Sequence, residues 1–229
     1  MMKRVLVLDV GGTAVKFYIS DGTKGSFLSG REMTAEQMCA NVLRLLSKDD
    51  YDAITIGYPG PVNDKGPISE PELLGPGWVG YDFTIRFGKP VEVINDAAMQ
   101  AIGSYAGGRM LFLGLGTGLG TCLIINYVVI PMEVANLPYK DGKSYGDFLA
   151  QRGLDKYGEE VWLQAIEDVV RLFRPAFVVE DVVLGGGNVN RLKKLPPGTR
   201  KGDNSMAFSG GVLVWDDNRK FRFGWKLRG

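Results

Sequence analysis

No histidine occurs anywhere in the 229 residues, which removes the commonest metal ligand and the usual general base near neutral pH. Any acid–base chemistry therefore falls to carboxylates, Lys, Tyr or Cys. Cysteine is scarce as well. Cys39 and Cys122 are the two present, too few to staple a chain of this length, and they suit a reducing, cytoplasmic setting. Charge of one sign is not in excess either: 27 Lys and Arg against 26 Asp and Glu leave a net +1, so a broad basic surface for nucleic acid is not expected. The apolar run that a secretory signal needs is missing, because Lys3 and Arg4 are followed by only a few apolar residues before Asp9. One charge-free stretch, 110–132, is long enough to span a bilayer. Glycine at 114, 116, 118 and 120 followed by the β-branched run Tyr127 to Ile130 makes it read instead as two buried strands joined by a glycine loop. No membrane partner is expected.

What is present begins with Val5-Leu6-Val7-Leu8-Asp9-Val10-Gly11-Gly12-Thr13. The aliphatic run has no polar alternation and reads as a strand buried on both faces. An acid at the end of such a strand is costly unless paired or near a cation. Gly11 and Gly12 allow backbone N–H groups to approach an anion, and Thr13 adds a hydroxyl donor. On these residues alone a phosphate loop and an ordinary glycine turn are equally good readings. Val15 to Ile19 is a second strand, with Lys16 within it, and Asp21-Gly22 a turn, which makes a hairpin with the glycines at its tip.

Thr34-Ala35-Glu36-Gln37 resembles a capping box before a helix through Leu46. Asp52 to Ile56 is a strand running into the rigid loop Gly57-Tyr58-Pro59-Gly60-Pro61. The stretch 66–80 holds Pro67, Pro71 and Pro76 around Trp78 and reads as a loop whose Trp is either a sugar platform or a core plug. Val91 to Ile94 is a strand that meets a helix at Asn95-Asp96. Asp96 is read there either as the helix cap or as a general base with Asn95 orienting a substrate. Leu111 to Thr121 then repeats the opening device of strand, Gly/Thr loop and strand, with Gly116, Thr117 and Gly118 in the loop. Repetition at this scale suggests two similar halves. Val182 to Asn188 is a third echo, a strand ending in Gly185, Gly186 and Gly187. Between these, 149–173 is expected to be mostly helical and closed by Pro175. Arg191, Lys193, Lys194, Arg200 and Lys201 form a basic cluster, 204–215 reads as a glycine-interrupted helix, and 220–226 alternates basic and aromatic residues in a strand-like way.

The ordered set Asp9-Val-Gly-Gly-Thr13, Gly57-Tyr-Pro-Gly-Pro-Val62, Asn95-Asp96, Gly116-Thr-Gly-Leu-Gly120 and Leu184-Gly-Gly-Gly-Asn188 resembles the ROK family of sugar kinases, within the actin-like ATPase superfamily. Gly75 to Gly80, Leu137 to Tyr139, Arg152 to Leu154, Leu195 to Gly198 and Gly202 to Asn204 look in particular like its polyphosphate glucokinases. The resemblance implies an α/β chain of two ribonuclease H-like domains, 1–107 and 108–229, with a cleft between them and the final helix packing back on the first. It implies transfer of a phosphoryl group from polyphosphate or ATP to the 6-hydroxyl of glucose or a related hexose, with Asp96 as base. Asn95, Glu133, Asn136, Gly57, Pro59 and Gly60 would line the sugar side. Asp9, Gly11, Gly12, Thr13 and Lys16 would hold phosphates from one side, with Asp9 on Mg²⁺, and Gly116, Thr117 and Gly118 would hold them from the other. Gly185, Gly186 and Gly187 would lie beside adenosine or the outer phosphates, and a homodimer is implied. The chain also departs from the family. Where the family has Glu-x-Gly-His, this sequence has Glu133-Val134-Ala135-Asn136, so either the sugar differs from glucose or turnover is reduced. The family's Cys-rich zinc segment is missing, so no structural zinc is expected, and the segment after Ser20 is shorter. The competing reading is a sugar-binding regulator that does not turn its ligand over. The helical DNA-binding module of ROK repressors precedes the first strand, and here that strand begins within four residues of Met1, which disfavours direct DNA binding.

Overall fold

The computed structural model describes residues 3–216, 218 and 221–226. Strands β1 (Val5–Val10), β2 (Ala14–Ile19) and β3 (Lys24–Leu28) form an antiparallel meander. After helix α1 (Ala35–Leu45), strand β4 (Ala53–Tyr58) joins β1 in parallel. A two-residue ribbon, β5 (Val62–Asn63) with β6 (Gly66–Pro67), and the short helix α2 (Phe83–Phe87) lead to β7 (Val91–Asn95), parallel to β4. The sheet order is β3-β2-β1-β4-β7. Helix α3 (Asp96–Ser104) then crosses to the second sheet.

That sheet repeats the plan. β8 (Arg109–Leu115), β9 (Leu119–Ile125) and β10 (Val128–Met132) are an antiparallel meander. Helices α4 (Tyr145–Leu149) and α5 (Gln151–Ala176) precede β11 (Asp181–Gly185), and β12 (Thr199–Lys201) follows it, both parallel to β8's direction. Helix α6 (Met206–Leu213) and β13 (Arg222–Phe223) complete the order β12-β11-β8-β9-β10-β13. Read from meander to parallel pair, β10-β9-β8-β11-β12 matches β3-β2-β1-β4-β7. This is the structural form of the repeated glycine device.

Local chemistry explains most boundaries. The Thr34 and Gln37 side chains close a capping box on α1. β1 and β4 are almost wholly buried, as their unbroken apolar runs require. Several expectations are corrected. The charge-free stretch 110–132 forms three strands, because Asn126 and Tyr127 take positive φ and turn the chain once more. The long helix passes through Pro175 to Ala176 and is kinked at Gly158, whose φ is 82°. Trp78 is a core plug, fully buried and packed on Tyr58 and Phe83. Arg200, one of the basic cluster, sits in strand β12 and is paired with Asp181. The tail contributes β13, paired with β10, while Lys220 lies outside the described residues. Among the described residues no helix is long and apolar enough to cross a membrane.

Three apolar clusters build the core, one under each sheet and a third that joins Val5 and Val7 of β1 to α3, to Met110 and Phe112 of β8, and to Ala207 of α6. Helix α6 packs against α3 and β1 at backbone distance: a side chain at Gly103 would overlap the Met206 carbonyl, and one at Gly210 the Met99 carbonyl. Buried Thr55 of β4 ties the end of this helix down. Its hydroxyl donates to the Gly211 carbonyl at 2.7 Å and accepts from Trp215 Nε1 at 2.9 Å.

Thr55→Val is therefore expected to destabilise the fold by about 2 kcal/mol, since it strands a buried acceptor and an indole donor; denaturant unfolding measures the loss. Val178 is the opposite case. It is an exposed β-branched residue at φ 52°, where the chain leaves α5 in the left-handed conformation that glycine favours. Val178→Gly is expected to raise stability by up to about 1 kcal/mol, read as an increase in melting temperature.

Candidate active site

Backbone contacts fix each of the two glycine loops, and the start of α3 packs on the strand that follows the second. The hairpin tip at Gly11, Gly12 and Thr13 is fixed by Gly11 N–H donating to Ala14 O and by Ser29, whose hydroxyl donates to Gly11 O at 2.6 Å. Leu73, from the proline-rich loop, lies directly over Gly12, where a Cβ would come within 2.8 Å of it. On the other side Gly116 N–H donates to Gly118 O, and the N–H of Gln151 at the start of α5 donates to Gly116 O at 2.8 Å. Thr117 and Gly118 are exposed at the tip. Gly120 allows α3 to approach, since a Cβ there would come within 2.6 Å of Ala97 Cβ.

Asn95, and not Asp96, is the helix cap. Its Oδ1 accepts from Ala98 N–H at 3.0 Å and its Nδ2 donates to Gly60 O at 3.1 Å. This locks the Pro59–Gly60 loop to the helix and leaves one amide N–H of Asn95 uncommitted. Asp96 is the first helical residue, partly buried, and its Oδ1 accepts the Ala97 N–H at 2.7 Å. Burial first, then the Asp9 charge, with Glu133 adding, push it up to about 7 against the pull of the Ala97 N–H. Asp9, at the end of β1, is raised by burial and pulled back by Lys16, its cross-strand neighbour. Glu133 is raised by partial burial and by Glu72. It opens a short 3₁₀ turn, Val134–Asn136, which leaves the Asn136 side chain exposed beside it.

The remaining expected residues differ in what they offer. Gly57 is buried within β4, and Met99 of α3 fills the space its side chain would take, so it acts through packing. Gly185 is buried against Phe112, whereas Gly187 has open space around it. Gly186 has φ 81°, and a side chain there would overlap the Leu115 carbonyl. Asn188 Nδ2 donates to Gln151 Oε1 at 2.8 Å, so Gln151 links the Gly116 loop to the Gly185–Gly187 loop. Sequence reasoning missed Gln151, Leu73 and Glu72, for which no local signal exists. It also missed Gln100, whose Oε1 is buried without a partner beside Gly185. Gln100 is detectable in principle, because it lies one helical turn after Asp96. Two surface hollows, of about 470 and 300 Å³, lie elsewhere, one beside Arg109 and Arg174 and the other beside Trp225.

Among the described residues no three His, Cys, Asp or Glu side chains gather as a metal-ligand cluster. A magnesium ion does not need one, since it commonly takes one or two protein carboxylates and completes its shell with water and substrate phosphates. A single desolvated carboxylate such as Asp9, next to a glycine turn, fits that donor set.

No family model matches the chain. A polyphosphate glucokinase of Mycobacterium leprae (strain TN) is 24% identical over 206 residues, 80% of this chain and 63% of its own length. A glucokinase of Pyrobaculum calidifontis is 28% identical over 158 residues, 66% of this chain and 53% of its own length. The chain thus spans about half to two thirds of the length of these curated relatives. Among solved structures, the polyphosphate/ATP-glucomannokinase of Arthrobacter sp. strain KM superposes with TM-score 0.74 at 22% identity, covering 92% of this chain and 97% of that one. The ROK hexokinase of Thermus thermophilus gives TM-score 0.70 at 18% identity, covering 92% and 97%. A ROK family transcriptional regulator, a homologue of E. coli MLC, gives 0.69 at 12% identity, covering 91% and 77%. The chain has the α/β, actin-like ATPase fold of these proteins, and its resemblance to ROK sugar kinases, polyphosphate glucokinases among them, holds along most of its length.

Because folding raises the pKa of Asp96, the native state holds a proton that the unfolded chain releases at lower pH. Stability therefore falls as pH rises from about 4 through 7. Asp96→Asn is expected to be more stable than the parent at pH 8, by about 2 kcal/mol or more, and the difference should vanish below about pH 4. Melting curves across that range check it.

Proposed function

We propose that this chain, built on the fold of ROK sugar kinases, transfers a phosphoryl group from ATP or polyphosphate to a hexose hydroxyl in the cleft between residues 1–107 and 108–229. The observation that carries the reading is Asp96. It is the one charged residue of α3, it feels the charge of Asp9 beside the first glycine loop and heads the helix that packs on Gly120 after the second, and its surroundings push it up to about 7, close to the best value for a general base at neutral pH. It would take the proton from the attacking 6-hydroxyl. Asn95, Glu133 and Asn136 would bind the other hydroxyls, with Pro59 and Gly60 as backbone wall.

Asp9 would hold Mg²⁺, which neutralises charge on the transferring phosphoryl group. Gly11, Gly12, Thr13 and Lys16 would hold the phosphates on one side, and Gly116, Thr117 and Gly118 on the other. Gly185, Gly186 and Gly187 would border the far end of the donor. The protein supplies position and charge complementarity, which is most of what phosphoryl transfer requires. We place the enzyme in the cytoplasm as a homodimer. A second reading rests on Asn136, which stands where the family has histidine, together with the likeness to a ROK regulator: the chain would bind sugar without turning it over.

A coupled screen of hexoses against ATP and polyphosphate, each with Mg²⁺, is expected to identify at least one phosphorylated sugar. Asp96→Asn should then lower kcat by about 10²–10⁴-fold, and the parent's kcat should rise with pH to a plateau above about 7. Unchanged turnover in that variant removes Asp96 as base. Calorimetric sugar binding with no product favours the sensor.

A further inference from the structure

Arg200 lies away from the glycine loops, yet it touches the far ends of both elements that converge on them. Its Nε donates to the two Asp181 carboxylate oxygens at 3.0 Å each, and its Nη2 donates to one of them at 2.7 Å. The same Nη2 donates to the Ser104 carbonyl at 2.5 Å and lies 3.6 Å from Met110 Sδ. Ser104 is the last residue of α3 and Asp181 the first residue of β11. Helix α3 carries no basic residue in its last turn, so the guanidinium supplies from outside the positive charge that a helix C-terminus favours.

From this tie the two elements run to the site as rigid rods of similar length. Nine helical residues rise about 14 Å and five strand residues about 17 Å. Helix α3 starts at Asp96, and β11 ends at Gly185, where the Gly186–Gly187 turn begins. There β11 meets the middle of α3, since a Cβ on Gly185 would lie 3.4 Å from Oε1 of Gln100, one helical turn after Asp96. We propose that Arg200 is a positioning residue, which by tying Ser104 to Asp181 sets the place of the Asp96 carboxylate relative to the Gly185–Gly187 loop. The catalytic part of this inference rests on the kinase reading above; the structural part does not.

Lysine keeps the charge but lacks the planar fork that serves two acceptors at once. Arg200→Lys is expected to lower kcat about tenfold or more, because a displacement of about 1 Å at the reacting atoms is enough for that, while the calorimetric Kd for sugar stays within about twofold. Hydrogen exchange measured on the full chain provides a readout independent of turnover: amides 96–98 and 185–187 should exchange about tenfold faster or more, with the melting temperature little changed. Asp181→Asn should give the same pattern, and the double variant should be no worse than the single ones. It also serves as the second variant if Arg200→Lys does not fold. Exchange that rises only around 104 and 199–201 overturns the proposal, as does wild-type kcat in a folded Arg200→Lys. A parent chain that phosphorylates no hexose overturns the kinase reading instead, and the exchange pattern still decides the positioning role.

Discussion

Helix α3 and helix α6 cross with their backbones in contact, and the rest of the site depends on how tightly that crossing is made. Gly103 and Gly210 are what permit it, because any side chain at either position would run into a carbonyl of the other helix. Once made, the crossing clamps α3 between the two sheets. Val5 and Val7 of β1 and Met110 and Phe112 of β8 pack with it in one apolar cluster. A helix held on all sides cannot slide or roll without opening the core. Its first residue therefore has a fixed address, and that residue is Asp96. Thr55 secures the same arrangement from β4 by satisfying both Gly211 and Trp215.

Electrostatics follow from this packing. Asp9 and Glu133 both act on Asp96, and Glu72 acts on Glu133. Lys16 opposes them with a positive charge that acts on Asp9. Such a field would repel a phosphorylated ligand unless cations came with it. Under the kinase reading, Mg²⁺ on Asp9, backbone N–H groups in the glycine loops and Lys16 would supply them. The absence of histidine fits the same logic, since a desolvated carboxylate near pH 7 can serve the role an imidazole would otherwise take.

The duplicated sheet order explains why the residues proposed to hold phosphate come in two sets. Each half offers a hairpin whose tip is a Gly/Thr turn, β1–β2 in one and β8–β9 in the other. The second half adds the Gly185–Gly187 turn after β11, and Gln151 joins it to the first turn of that half. In the first half the corresponding strand β4 ends at the Pro59–Gly60 loop, which Asn95 holds instead. The two copies thus keep one architecture and differ in the chemistry of the loop after the fourth strand of the pattern.

What the chain determines by local pattern alone is considerable. The buried runs at β1, β4 and β8, the hairpins with their glycine tips, the Thr34 capping box and the helix starting at Asn95-Asp96 can all be read without a fold. In each, the signal and the structure it produces lie within a few residues. The order of these motifs also carries the family likeness. Tertiary structure decided the rest. It buried Trp78, carried α5 through Pro175, added the tail as β13, gave Arg200 two partners 19 and 96 residues distant in Asp181 and Ser104, and reassigned the cap from Asp96 to Asn95. It also gave Asp96 its proton affinity, because desolvation and the Asp9 and Glu133 charges arise only when segments far apart in the chain are brought together. Hydrogen-bonded turns and apolar periodicity are short-range properties, whereas burial and Coulomb interaction depend on distance in space and leave no mark on neighbouring letters.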